Sequence, residues 1–420
     1  MKKFKEIIVS ENLDKLAQKL KKKAELFIVG GYVRNGLLGI GGTDIDLASK
    51  LTTTELTELL KDTPYVVKEK NKRLGTATIK IGEEFYEHTT FRTEVYDGTG
   101  KHTPDIVTFV DDIRQDAKRR DFTVNCIYYS ITRKKIIDIY SGLYDLEKKR
   151  IRTIETPEFV FSCDGLRILR MIRIACELGF SIEKNTYKVA QKMAYRVKDI
   201  SGTRKQQELN NILWCDKKYP ISKKKSHLRA LCMLNAFNLF SALYCMVSKI
   251  KLRLIKKVQD LRLEALLVDM IDAINPDCVE YYLDFMLSSK GFNFPAKAKE
   301  YLINVVCGYF DATNKLSNRD YFIKYYENFS SISRLLAKDH VFLFNRYNFF
   351  YRYLTNYHIP IRIKDLQVNG NDIKKYRPKL DAKYYNEILQ NLLIKVFDGE
   401  VENDRDKLIT EIKNYDIANN

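Results

Sequence analysis

FIVGGYVRNGLLGIGGTDIDLA, residues 27–48, holds two Gly-Gly turns and an Asp-x-Asp pair in one short span. The apolar run 26–29 predicts a strand that ends at Gly30-Gly31. Neither glycine has a Cβ, so the backbone there can turn sharply and approach a ligand closely. Arg34 then falls in the first turn of a helix, whose N-terminus favours phosphate. The second turn, Gly41-Gly42, leads into a short strand over 43–47. Residues two apart in a strand share a face. Asp44 and Asp46 are therefore expected to project together, with Ile45 pointing into the core. Paired carboxylates suit Mg²⁺, which takes hard oxygen ligands and shares them with phosphate oxygens. An isolated Asp-x-Asp reads better as a solvated turn. The glycine turns at this spacing favour the metal reading.

Outward from this span, residues 77–81 and 85–91 alternate in character and predict paired strands. Glycines at 30–42 and 98–100 mark turns. From about residue 155 apolar residues recur at three- and four-residue steps, as in 164–178, 186–195, 206–214, 228–247 and 261–272. The fold class expected is α+β: a head with a small mixed sheet, then an all-α remainder.

The 420 residues suit a few domains. Lys+Arg 72 against Asp+Glu 54 gives a net charge of +18, which favours a polyanionic partner through Coulomb attraction and counterion release. Solvated lysines alone would look similar. No apolar stretch is long enough to span a bilayer, and the first residues lack the apolar core of a signal peptide. The eight cysteines show no Cys-x-x-Cys spacing, so neither zinc nor a redox pair is indicated. Most of them read as buried thiols of a reducing compartment, which points to the cytoplasm.

GGYVRN followed by GGTDIDLA resembles the class II CCA-adding enzymes and bacterial poly(A) polymerases of the polymerase β superfamily. The resemblance implies a nucleotidyltransferase head using two Mg²⁺ ions on Asp44 and Asp46. They would activate an attacking 3′-hydroxyl and neutralise departing pyrophosphate. Glu87 is the expected third carboxylate, with Glu94 and Asp111 as alternatives. Asn35 stands where the family usually has aspartate. KRRDFTVNCIYY, residues 118–129, resembles the family's next motif. It places an arginine, Arg119 or Arg120, on the triphosphate and Asp121 near the ribose. Asn125 completes the motif, and Asp121 is also expected to cap a following helix. Gly30, Gly31 and Arg34 join the same nucleotide-binding set. Asp138, Gly142 and Asp145-Leu146 resemble a motif coupling head to neck.

CDGLRILRMIRIACELGF, residues 163–180, spaces Asp164, Arg167, Arg170 and Arg173 every three residues. On a helix the first three would line one side, over an apolar opposite side; a plain amphipathic helix shows the same pattern. Cytosine and adenine both present an amino donor beside a ring-nitrogen acceptor, whereas guanine and uracil reverse the order. A carboxylate and an arginine would therefore accept C and A, and leave G and U with unpaired groups costing ~1–3 kcal/mol. The resemblance assigns base reading to Asp164 and Arg167, and further nucleotide and phosphate contacts to Arg170 and Arg173. Cys163 replaces the usual preceding glutamate. In SGTRKQQELNNIL, residues 201–213, Thr203 replaces another, while Arg204, Glu208 and Leu209 are kept.

LQVNGNDIKKY at 366–376 and VFDGEVENDRDKLITEI at 396–412 resemble the tail of Gram-positive-type CCA-adding enzymes. The implied domains are a head at 1–150, a base-recognising neck at 151–215, a body at 216–315 and a tRNA-binding tail at 316–420. TFRTEVYDGTGKHTPDIVTF, residues 90–109, retains the loop linked by resemblance to the switch from C to A. The implied activity is template-independent addition of C, C and A to tRNA from CTP and ATP. The tRNA would be held at its 3′ end and elbow, with no membrane or protein partner. Poly(A) polymerase is the near alternative. A non-catalytic RNA-binding protein is the distant one, against which both aspartates stand.

Overall fold

A computed structural model describes residues 4–42, 44–96, 104–244, 249–274, 279–288, 291–313 and 317–415. Thr43 and the loop residues 97–103, with the turn expected at 98–100, lie outside the described residues. The chain forms two units, Met1–Ile250 with Ser289–Asn293 and Lys251–Ser288 with Phe294–Asn420. The boundary falls inside the stretch expected as the body.

The first unit opens with nine strands: β1 Phe27–Val29, β2 Ile45–Ser49, β3 Val66–Asn71, β4 Thr76–Ile81, β5 Glu84–Thr90, β6 Arg92–Val95, β7 Ile106–Phe109, β8 Ile127–Ser130 and β9 Lys135–Asp138. Seven make one mixed sheet in the order β3-β4-β5-β2-β1-β8-β9. Only β2 and β5 run parallel within it; its other neighbours are antiparallel. β6 and β7 form a separate ribbon. β1 is buried at all three residues because it lies inside the sheet. β5 alternates: Tyr86, His88 and Thr90 are buried while Phe85 and Glu87 are exposed, as a half-covered face requires. Phe27, Val29 and Ala48 pack with Phe91, Ala117, Cys126 and Tyr128 below this centre. That packing fixes the strand ends from which the carboxylates emerge.

His88 sits in this core with Nε2 and Ser49 Oγ 2.8 Å apart. Burial pushes its imidazole down to about 3, from 6.5. Between those values the unfolded chain binds the extra proton. Stability from this group is full above pH 6.5 and falls as the pH drops, by up to ~1.4 kcal/mol per pH unit. In urea titrations across that range, His88→Leu is expected to flatten the pH dependence relative to wild type.

Helices fill the rest of the unit. Leu166–Leu178 is buried at every residue except Arg170. Asp164 lies outside this helix, in extended conformation, and accepts from the Leu166 N–H at 2.9 Å. The expected row of Asp164, Arg167 and Arg170 on one helix is thus corrected: Asp164 precedes the helix. Residues 228–247 do not form one helix. Ser226–Ala236 and Leu239–Tyr244 are separated at Asn238, whose φ is +56°.

The second unit is helical. Tyr321, Phe322, Phe329 and Tyr347 form its aromatic core, with Tyr321 and Tyr347 ring centroids 4.3 Å apart. A further core joins Val368, Ile373, Ile388, Leu392, Leu408 and Ile412. No described helix is long and apolar enough to cross a membrane.

Candidate active site

β1 delivers the chain to Gly30, which has φ +86°. A side chain there would be strained, and its Cβ would lie 3.3 Å from Asp46 Oδ2. The glycine therefore brings backbone against the carboxylate. Asp46 stands opposite Val29 on one side and Glu87 on the other. Asp44, Asp46 and Glu87 line one cleft, with Asp44 just before β2 and not within it as expected. Ile45 does not enter the core; it is half-buried and lines the same cleft. Water reaches Asp46, yet crowding by protein raises its pKa. Arg120 pulls it down, while Glu87 and Asp44 add to the rise. Negative charge gathered in this way is relieved by a bound cation.

Of the three candidates for a further carboxylate, Glu87 is the one in register with Asp46, and it pairs with Lys70. Glu94 is buried between Arg92 and Arg119. Asp111 pairs with Lys50. Among the described residues no three His, Cys, Asp or Glu side chains converge to hold a metal alone. The donor set nevertheless fits Mg²⁺, which is commonly held by one or two carboxylates with phosphate and water oxygens completing its shell.

A second cleft, of about 290 Å³, is lined by Gly30, Gly31, Asp46, Arg119, Arg120, Asp121, Asn125, Asp164, Arg167, Arg170 and Arg204. The residues beneath it form a hydrogen-bonded chain. Arg170 donates to Asp121 at 2.9 and 2.6 Å. Asn125 donates to Asp121 at 3.2 Å, and Arg34 donates to Asn125 at 2.5 Å and to Asn35 at 3.1 Å. Burial alone would raise Asp121, but Arg170 and Arg167 outweigh it and hold the carboxyl down at about 2. Arg34 is buried, and burial lowers its pKa. Its side chain donates to two neutral amides, Asn35 and Asn125.

The helix expected after Asp121 is a single 3-10 turn, Thr123–Asn125, running into β8. Asp121 accepts from the Phe122 N–H at 2.8 Å rather than capping a long helix. Arg119 and Arg120 converge on Asp116, a residue the motif reading passed over. Asp116 is fully buried and accepts from Arg119 at 2.8 Å, Arg120 at 3.1 Å and the Tyr128 hydroxyl at 2.7 Å. Removing one partner of a buried pair strands the other charge. Asp116→Ala is therefore expected to cost ~3–5 kcal/mol in a urea unfolding titration.

Asp164 is gripped by Arg204 through contacts of 3.3 and 2.9 Å. Arg167 donates to the Val160 and Arg119 carbonyls at 3.3 and 2.7 Å. The two face one cleft, and the Arg167 backbone N–H donates to the Asp164 carbonyl at 3.1 Å. Arg173 lines a further cleft with Asp44, Asp46 and Arg170. Its guanidinium is buried and bonded to Glu208 at 2.9 Å and Glu177 at 2.9 and 3.1 Å. The i,i+4 spacing of Arg173 and Glu177 was a signal in plain view. Arg204 was visible only as a retained position.

Residues 26–152 match the family model described as "Poly A polymerase head domain", and residues 179–223 match "Probable RNA and SrmB- binding site of polymerase A". The CCA-adding enzyme of Lactococcus lactis subsp. cremoris is 37% identical over 192 residues, 45% of this chain and 46% of that protein. That of Staphylococcus aureus is 33% identical over 219 residues, 52% of each. The chain thus spans about half the length of the curated relatives it matches. The Bacillus stearothermophilus CCA-adding enzyme, solved in complex with CTP, aligns with a TM-score of 0.66 over 96% of both chains at 22% identity. Residues 26–152 are therefore similar to a poly A polymerase head domain, within a fold similar to that of CCA-adding enzymes along nearly the whole chain.

Proposed function

We propose that the chain adds C, C and A to the 3′ end of tRNA, using CTP and ATP and releasing pyrophosphate. The observation that carries this reading is one cleft lined by both Asp46 and the pair Asp164 and Arg167. A metal-binding carboxylate and a base-reading pair then address one nucleotide.

Asp44 and Asp46 would hold two Mg²⁺ ions. Bound there, the ions supply a lowered pKa at the RNA 3′-hydroxyl and neutralise charge on the leaving pyrophosphate. Glu87, opposite Asp46, is the proposed third carboxylate. Gly30 and Gly31 bring backbone to the phosphates. Arg34, Arg119 and Arg120 supply positive charge, and Asp121 with Asn125 approaches the ribose. Arg170 and Arg173, held by their carboxylate partners, are the proposed further nucleotide and phosphate contacts. Asp164 accepts from Leu166 and Arg204, and a carboxylate with about four lone-pair sites retains room for a base amino group. Arg167, with five donors, retains N–H groups for a ring nitrogen.

We further propose the division into head 1–150, neck 151–215, body 216–315 and tail 316–420, with the tail on the tRNA elbow. A tRNA substrate places the protein in the cytoplasm.

The test is a tRNA transcript lacking its last three residues. CTP alone should extend it by two residues, and CTP with ATP by three. Open-ended addition from ATP alone would assign the chain to poly(A) synthesis instead.

A further inference from the structure

The helix Val341–Asn356 has one face that the fold leaves open. Phe342 and Phe349 are 79% and 75% exposed, and Tyr353 and the following Tyr357 are 44% and 70% exposed. These rings recur at helical spacing and therefore share a side. The opposite side is core: Tyr347 and Leu354 are buried. The open rings are thus an addition to the packing, and exposed apolar surface of this kind marks an interaction site.

Charge selects the occupant. Arg346 and Arg352 are exposed among the rings, and the stretch 340–364 contains no Asp or Glu. Arg346 lies over the Tyr347 ring at 5.6 Å. The flanking carboxylates already have partners: Asp339 faces Arg253 and Lys257, and Glu327 faces Arg362 and Lys364. A second copy of this basic chain would set like charges against Arg346 and Arg352, and a bilayer offers the rings no flat face to stack on. A polyanion with flat apolar faces uses both rings and guanidinium groups, since bases stack on aromatic side chains and arginine adds cation–π and phosphate contacts.

We infer that this face is a stacking platform for RNA with unpaired or end-exposed bases. It deepens the proposed function, since tRNA is the RNA in question, by assigning particular side chains to tRNA binding.

The full-length protein is titrated against labelled tRNA lacking its last three residues, read by fluorescence anisotropy at fixed salt. F349A/Y353A is expected to weaken binding roughly tenfold or more. R346Q/R352Q is expected to weaken it and to make its salt dependence shallower. All four residues are exposed, and matching thermal melts would show that the variants fold. Unchanged affinity in both variants overturns the platform. So does unchanged affinity when F349A/Y353A converts a dimer to a monomer by light scattering, or abolishes sedimentation with phosphatidylglycerol vesicles. Nucleotide incorporation by wild type is measured in parallel. Weakened variants without wild-type incorporation would sink the proposed activity and keep the platform. Incorporation with unaffected variants would do the reverse.

Discussion

Asp46→Ala is expected to reduce nucleotide incorporation by on the order of 10³-fold or more, since metal stabilisation of transition-state charge is worth several kcal/mol. Affinity for tRNA should be unchanged, because the carboxylate faces metal and triphosphate in this account. The variant should also fold. Asp46 carries a raised pKa, so its charge is disfavoured in the native state at neutral pH. Removing it relieves repulsion from Glu87 and Asp44. Without Mg²⁺, Asp46→Asn is accordingly expected to melt no lower than wild type, while losing as much activity as the alanine variant. Persistent incorporation by a folded Asp46→Asn protein would remove Asp46 from the chemistry.

Asp164→Ala should act on choice of base rather than on chemistry. Deleting the acceptor strands the amino group of C and A, at ~1–3 kcal/mol, which is roughly 5- to 150-fold in discrimination against U and G. The measured quantity is the ratio of kcat/KM for CTP over UTP. Arg204 loses its carboxylate in the same variant. A parallel Arg204→Gln protein separates the two effects: it should loosen Asp164 and cost activity with all nucleotides. Discrimination that survived in Asp164→Ala would remove Asp164 from base reading.

What could be read in the residues follows from which forces are local. β1, β2, β4 and β5 were visible because burial alternates or runs unbroken along them. Most helices were visible through their period. The β6–β7 ribbon was not, since its residues Val95, Ile106 and Phe109 are exposed and give no burial pattern. The break at Asn238 turns on a single left-handed residue inside an apolar run.

In the site, Asp44, Asp46 and their glycines were legible because turn chemistry and strand period are local. The partners of the arginines were not. Arg204 and Glu208 meet Asp164 and Arg173 through tertiary packing across distant segments, whereas Asp116 and Arg120 form a local i,i+4 pair. Register across β2 and β5, which sets Glu87 against Asp46, is likewise a property of the sheet and not of either strand.

The central claim is base choice without a template, and sequencing of product ends tests it most directly. A tRNA transcript lacking its last three residues is incubated with the protein, Mg²⁺ and all four nucleoside triphosphates, and its 3′ ends are read. The account predicts C, C and A, then no further growth. Tails of repeated A, or frequent G and U at the new positions, would contradict it.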